Sequence, residues 1–121
     1  MHENRLVQLI EKIHERTMAG RVNWEATAKV SAYQCAFSDF TIVIDAVRNR
    51  ENPEEIDYVF SIVNSDGVII EKIDDIALTR ELDSDTGAGY KLMTQMYNSA
   101  RRTAMGTERA IDALLKELGE E

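Results

Sequence analysis

The sequence predicts an α+β domain: an antiparallel β-meander of about four to five strands with an N-terminal helix and two C-terminal helices. Three observations carry that prediction. Apolar residues recur at helical spacing near both ends of the chain, β-branched and aromatic residues dominate the middle, and clusters of Asn, Asp, Gly and Pro punctuate that middle as turns. A length of 121 residues, 44% hydrophobic and 30% charged, fits one globular domain spanning 1–121.

The first helix is marked by Leu6, Leu9, Ile10, Ile13 and Thr17, with Glu11, Lys12, Glu15 and Arg16 between them, and it ends at Gly20. Val22, Trp24 and Ala26 then alternate with polar residues, and Tyr33, Cys35 and Phe37 alternate with polar Gln34 and small Ala36, which makes two short strand candidates. Residues 40–48 and 56–64 form an antiparallel pair around a turn containing Asn52-Pro53. The turn Asn64-Ser65-Asp66-Gly67 leads into a further strand over 68–73.

After residue 88 the period changes. Tyr90, Met93, Tyr97, Ala100 and Ala104 are spaced by 3, 4, 3 and 4 residues, the stripe of an amphipathic helix that Gly106 interrupts. Thr107 can cap a third helix whose buried stripe is Ala110, Ile111, Leu114, Leu115 and Leu118, ending at Gly119.

Strand alternation assigns the core. Phe40, Ile42, Ile44 and Ala46 share one face with Ile56, Tyr58, Phe60 and Ile62, and these eight are expected to meet the helices. The opposite face mixes Val43, Val47, Val59 and Val63 with Thr41, Asp45, Asp57 and Ser61, which is too apolar to stand wholly in water. The first helix or an N-terminal strand would cover it, or a second copy of the chain would.

Composition narrows the functional classes. A net charge of −8 argues against binding nucleic-acid polymers, whose phosphates must be neutralised by Lys and Arg. The start of the chain lacks a signal-peptide pattern and no apolar run approaches a spanning helix, so no membrane is expected. A single cysteine allows no disulfide within the chain, and a cytoplasmic setting is expected. His2, His14 and Cys35 do not make a zinc or iron set, and no nucleophile sits in a recognisable motif. No metal, no cofactor and no enzymatic activity are expected. Asp74-Asp75 and Asp83-Ser84-Asp85 flank residues 76–82, and read as a solvated acidic connection rather than a cation loop. Residues 39–85 hold 13 acidic and 4 basic residues, a surface able to attract a basic protein partner.

Positive charge is sorted elsewhere. Residues 86–107 contain no Asp or Glu but carry Lys91, Arg101 and Arg102, while the rest of the chain has 11 basic and 22 acidic residues. The glycines of Asp85-Thr86-Gly87-Ala88-Gly89-Tyr90-Lys91 could cradle an anion at a helix start, but the segment lacks the ending of a P-loop and reads rather as a hinge with Asp85 or Thr86 as helix cap. On the helix that follows, Lys91, Gln95, Asn98 and Arg102 line one stripe, with Thr94 and Arg101 beside it. Arginine forks can grip phosphate or carboxylate, and Tyr90 and Tyr97 border the same helix as aromatic faces. The competing reading pairs the arginines with the chain's own acids and buries the tyrosines. A smaller positive region, residues 16–38, has Arg16, Arg21 and Lys29 against Glu25 alone, and could complete a pocket with the helix or across a dimer.

Leu9-Ile10-Glu11-Lys12, Arg16 through the Gly20-x-x-x-Trp24 motif, the Asn-Ser-Asp-Gly turn and Tyr97-Asn98-Ser99-Ala100-Arg101-Arg102 together resemble small uncharacterised bacterial and prophage domains. These share a helix, Gly-x-x-x-Trp, β-meander, Ala-Arg-Arg helix layout. The resemblance implies that layout over nearly the whole chain and carries no activity. By analogy of size and layout, some phage proteins trap nucleotide signals at subunit interfaces. The resulting expectation is a self-associating, non-enzymatic binding module that sequesters a small anionic, nucleotide-like ligand. The binding residues would be Lys91, Gln95, Asn98, Arg101, Arg102, Tyr90 and Tyr97. The alternative is an acidic inhibitor or immunity-type partner of a basic protein.

Overall fold

A computed structural model describes residues 4–82 and 87–119. The order is α1 (Arg5–Met18), β1 (Glu25–Ala26), β2 (Ala32–Ala36), β3 (Phe40–Arg48), β4 (Ile56–Asn64), β5 (Ile69–Asp74), α2 (Asp75–Glu81), α3 (Ala88–Ala104) and α4 (Thr107–Glu117). The five strands form one antiparallel sheet in the order β1-β2-β3-β4-β5, the expected meander. The longest pairing runs from Phe40↔Asn64 to Arg48↔Ile56, and a register shift between Ile62 and Val63 loosens β4 against β5.

Helix α1 begins where the Asn4 side chain accepts the Leu6 and Val7 amides, satisfying donors that have no partner within a first turn. Its Val7, Ile10 and Ile13 join one buried cluster with Ile42, Ile44 and Phe60 of the sheet and Met93, Met96 and Ala100 of α3, the helix against which α1 packs. The Trp24 indole N–H donates to Thr17 Oγ1 at 3.0 Å, fastening the connection after α1 to the helix it leaves. Trp24 and Thr17 are both buried, so the polar tip of the indole enters the core with its partner supplied.

Several details depart from the sequence expectations. Of the two acidic clusters read as a solvated connection, Asp83-Ser84-Asp85 lies outside the described residues, and Asp74-Asp75 does not form one. Asp74 caps α2 by accepting the Ala77 amide at 2.8 Å, and Asp75 is 5% exposed with its carboxylate accepting the Tyr58 amide at 2.8 Å. A short carboxylate that bonds nearby amides starts a helix, and the apolar residues after it then find the core through Leu78. Val22 and Trp24 lie outside β1, which is only two residues long. Phe40 and Ile56, at opposite ends of the β3–β4 ladder, stay exposed because the helices cover only its centre.

The α3 cap is Gly87 in a left-handed conformation with no side-chain hydrogen bond, and Asp85 and Thr86 lie outside the described residues. Gly106, at φ 64°, caps α4, so Thr107 is its first residue and not its cap. A side chain other than glycine's would strain that turn. The stripe expected to be buried on α4 is bare: Ile111 is 41% exposed, Leu114 58%, Leu115 41% and Leu118 82%. Helix α4 packs chiefly against the end of α3, and none of its residues reaches the buried core.

Helices α2 and α3 pack with little clearance. A Cβ on Gly89 would stand 2.5 Å from the Asp75 carbonyl oxygen and 2.6 Å from the Thr79 nitrogen. The Gly89 amide also donates to Thr79 Oγ1 at 2.9 Å. Neither α1 nor an N-terminal strand covers the opposite face of the sheet. That face forms an open hollow of about 580 Å³, with Val43, Val47, Val59 and Val63 on its floor.

Candidate functional site

The α3 residues singled out by sequence separate into three groups. Tyr97 and Tyr90 belong to an aromatic cluster that unites all four tyrosines of the chain. Tyr97 lies 5.4 Å from Tyr33 and 5.2 Å from Tyr58, and Tyr90 lies 5.5 Å from Tyr58, measured between ring centres. The Tyr97 hydroxyl donates to the Ser31 carbonyl at 2.9 Å, and burial raises its pKa, so it remains a donor. Gln95 and Arg102 are committed to partners: Gln95 Oε1 accepts from His14 Nε2 at 2.9 Å, and Arg102 pairs with Glu108 of α4. Lys91, Asn98 and Arg101 are exposed, and among the described residues Lys91 and Arg101 form no ion pair. Arg102 also borders a hollow of about 410 Å³ at the α3–α4 corner, together with Ser99, Thr107 and Arg109.

A different concavity brings together what the α3 stripe does not. Between α1 and one end of the sheet lies an open hollow of about 660 Å³. Its walls come from every layer: Leu9 and Ile13 from α1, Val22 from the connection, Phe37 and Phe40 from the β2–β3 turn, and Ile42, Ile62 and Ile70 from the strands. Lys12, Arg16 and Arg21 stand along its edge. Helical spacing explains the arrangement on α1. Leu9, Lys12, Ile13 and Arg16 are three or four residues apart, so apolar and cationic side chains share one flank of the helix.

The electrostatics of this edge favour an incoming anion. Lys12 makes a solvent-exposed contact with Glu15 at 3.3 Å, a pair of the kind worth about 1 kcal/mol or less. Arg16 and Arg21 form no ion pair among the described residues. An anion reaching them would sit against apolar walls, where the effective dielectric falls and charge pairs strengthen. Phe37 and Phe40, 56% and 47% exposed, lie bare at the same mouth.

The sequence held half of this signal. Arg16 and Arg21 belong to the smaller positive region, but its third member, Lys29, is turned to the other face of the sheet, where it binds Asp45 at 2.6 Å. The apolar half was missed because Phe37 and Phe40 were assigned by alternation, and alternation does not report where the covering helices stop. The turn of only Ser38 and Asp39 between two phenylalanines was the available clue.

Other reactive groups are occupied or silent. Burial, then the negative charge of Glu25, pushes the Cys35 thiol up to about 12, so it remains protonated and unreactive. Among the described residues no group of three or more His, Cys, Asp or Glu side chains is placed to hold a metal ion. No described helix is long and apolar enough to cross a membrane. The chain matches no protein-family model, no curated protein and no solved structure.

Proposed function

We propose that the chain is a non-enzymatic binding module whose ligand is a small organic anion with an apolar body, held in the hollow beside α1. The carrying observation is the joining of an apolar cavity of about 660 Å³ to a cationic edge in one open site. Concave, mostly apolar sites with a few placed polar groups are the usual form of small-molecule sites, at about 300–1,000 Å³. The apolar body packs on Ile13, Val22, Ile42 and Ile62, and the charge is met by Arg16 and Arg21. A nucleotide-like anion belongs to this class, with Phe37 and Phe40 as faces for its base. The α3 stripe supports anion capture less well, since Gln95 and Arg102 already have partners and Tyr97 is held in the core.

Isothermal titration with dodecanoate, neutral dodecanol and a panel of nucleoside phosphates tests the reading. An anion from this set is expected to bind at least about tenfold more tightly than dodecanol, a difference of about 1.4 kcal/mol. Arg16→Ala with Arg21→Ala is expected to erase that preference. Equal affinity for the neutral and charged probes, or an anion preference that survives in the double variant, overturns it.

A further inference from the structure

Helix α4 poses a physical problem that the single chain does not solve. It is 11 residues long, and isolated helices below about 12–15 residues are marginal in water, so its stability must come from packing. Yet it buries none of its residues, and its leucines face solvent. None of the described residues covers that stripe.

The charge pattern around the stripe identifies the cover. At about 100° per residue, Ile111, Leu114, Leu115 and Leu118 fall on one side of α4. Glu108 and Asp112 border that side on one edge and Glu117 on the other, while Arg109 and Lys116 fall at the back. The helix is therefore an apolar ridge between two acidic margins. The hollow beside α1 has the reverse arrangement, an apolar trough with Lys12, Arg16 and Arg21 along its edge. The open sheet face is a poorer match, because Asp45 stands beside its valines and binds its Lys29, which leaves Lys72 as its one cation without an ion pair among the described residues, against Arg16 and Arg21 at the trough. In its own chain α4 lines no part of the trough, so a contact between the two would join separate copies.

We propose that α4 of one copy docks, by its Ile111 to Leu118 ridge, in the α1 hollow of a second copy, with Asp112 and Glu117 facing Arg16 and Arg21. Reciprocal exchange of the two helices closes the pair, as soluble homo-oligomers usually close. The inference rests on the reading of the hollow as a binding site and names a partner for it. A small amphipathic anion then competes with α4, so ligand capture separates the copies.

Sedimentation equilibrium of the full chain across about 1–100 μM tests the contact, with a Kd of about 1 μM corresponding to −8.2 kcal/mol. The wild type is expected to dimerise, and the exposed pair Leu114→Asp, Leu118→Asp to leave a folded monomer by circular dichroism. Arg16→Glu with Arg21→Glu is expected to weaken the dimer at least about tenfold. Adding Asp112→Arg with Glu117→Arg to that chain is expected to restore most of the loss, which damage to the fold would not do. A monomeric wild type at the highest concentration overturns the inference. So does a charge-exchanged chain no better than Arg16→Glu, Arg21→Glu, or a dimer broken by Val59→Lys but not by the α4 variant. Dodecanoate titrated into the Leu114→Asp, Leu118→Asp chain separates the two proposals. Binding there alongside a monomeric wild type removes only the α4 contact, whereas no binding there alongside charge-exchange rescue removes only the small-ligand reading.

Discussion

Helices α1 and α4 both carry an apolar stripe between charged flanks, yet α1 drives Val7, Ile10 and Ile13 into the core while α4 leaves Ile111, Leu114, Leu115 and Leu118 in water. The stripes are alike; the surroundings differ. Helix α1 packs against α3 and its apolar residues join the buried cluster that holds Ile42, Ile44 and Phe60, whereas α4 follows the positive-φ Gly106 at the end of α3 and adds no residue to that cluster. Amphipathicity therefore states that a helix has something to bury and leaves open whether the receiving surface lies in the same molecule.

The sharpest break of this comparison is a matched pair of truncations. Ile10→Ala on α1 is expected to cost about 2–5 kcal/mol in urea unfolding, the range for emptying a packed core site. Leu114→Ala, measured at high dilution, is expected to stay within about 0.5 kcal/mol. Similar losses at both positions would show that α4 is packed within its own chain.

A smaller effect tests how tightly the packed half is built. Gly89→Ala places a methyl group against the Asp75 carbonyl and the Thr79 amide, and is expected to destabilise by about 1–3 kcal/mol. An unchanged urea midpoint would mean that α2 and α3 can separate freely. Helix α4, with no such close contact described, provides the tolerant contrast.

Asp75 supplies a pH-dependent test of the same packed region. Burial, the largest cause, raises the folded carboxyl above its usual range, even though the Tyr58 amide bond pulls the other way. The folded chain therefore holds this proton more firmly than the unfolded chain. The stabilisation is complete below the unfolded carboxyl range and is lost as pH rises through the raised folded value. Asp75→Asn, which keeps an oxygen for the Tyr58 amide, is expected to flatten that portion of the stability profile. Asp75→Ala, by contrast, strands a buried amide and is expected to lose about 1–3 kcal/mol at neutral pH. Urea midpoints across the acidic range distinguish the three chains.

The smallest expected effect lies at the junction of the two regions. Arg102→Ala removes an exposed pair with Glu108 and is expected to change stability by less than about 1 kcal/mol. A larger loss in thermal melts would show that this contact fixes how α4 leaves α3.

Much of the fold was legible in the sequence because period and turn chemistry act locally. The Asn64-Ser65-Asp66-Gly67 turn does close β4 onto β5: the Asn64 side chain accepts the Asp66 and Val68 amides, and Gly67 has positive φ. Helix α2 was hidden because its only strong local signal, Asp74 as a cap, was masked by the second acid beside it. The bare Phe40 and Ile56 were hidden because strand alternation names a face and says nothing about the length of the helix laid across it. For the candidate site, Arg16 and Arg21 were visible as a charge cluster, while their apolar trough depends on α1, the connection after it, the β2–β3 turn and strands β3, β4 and β5 meeting in space. Tyr97 shows the opposite limit. Its place in the apolar stripe was readable, but the Ser31 carbonyl that occupies its hydroxyl lies 66 residues away along the chain.

The condition of Cys35 has a practical reach. It is the only thiol in the chain, buried at 3% exposure and held in its protonated form. A second cysteine introduced on α4 or at the mouth of the α1 hollow would thus take a maleimide dye or spin label without removal of the native one. Interprobe distances in mixed, singly tagged preparations would then report whether α4 of one copy approaches the α1 hollow of another.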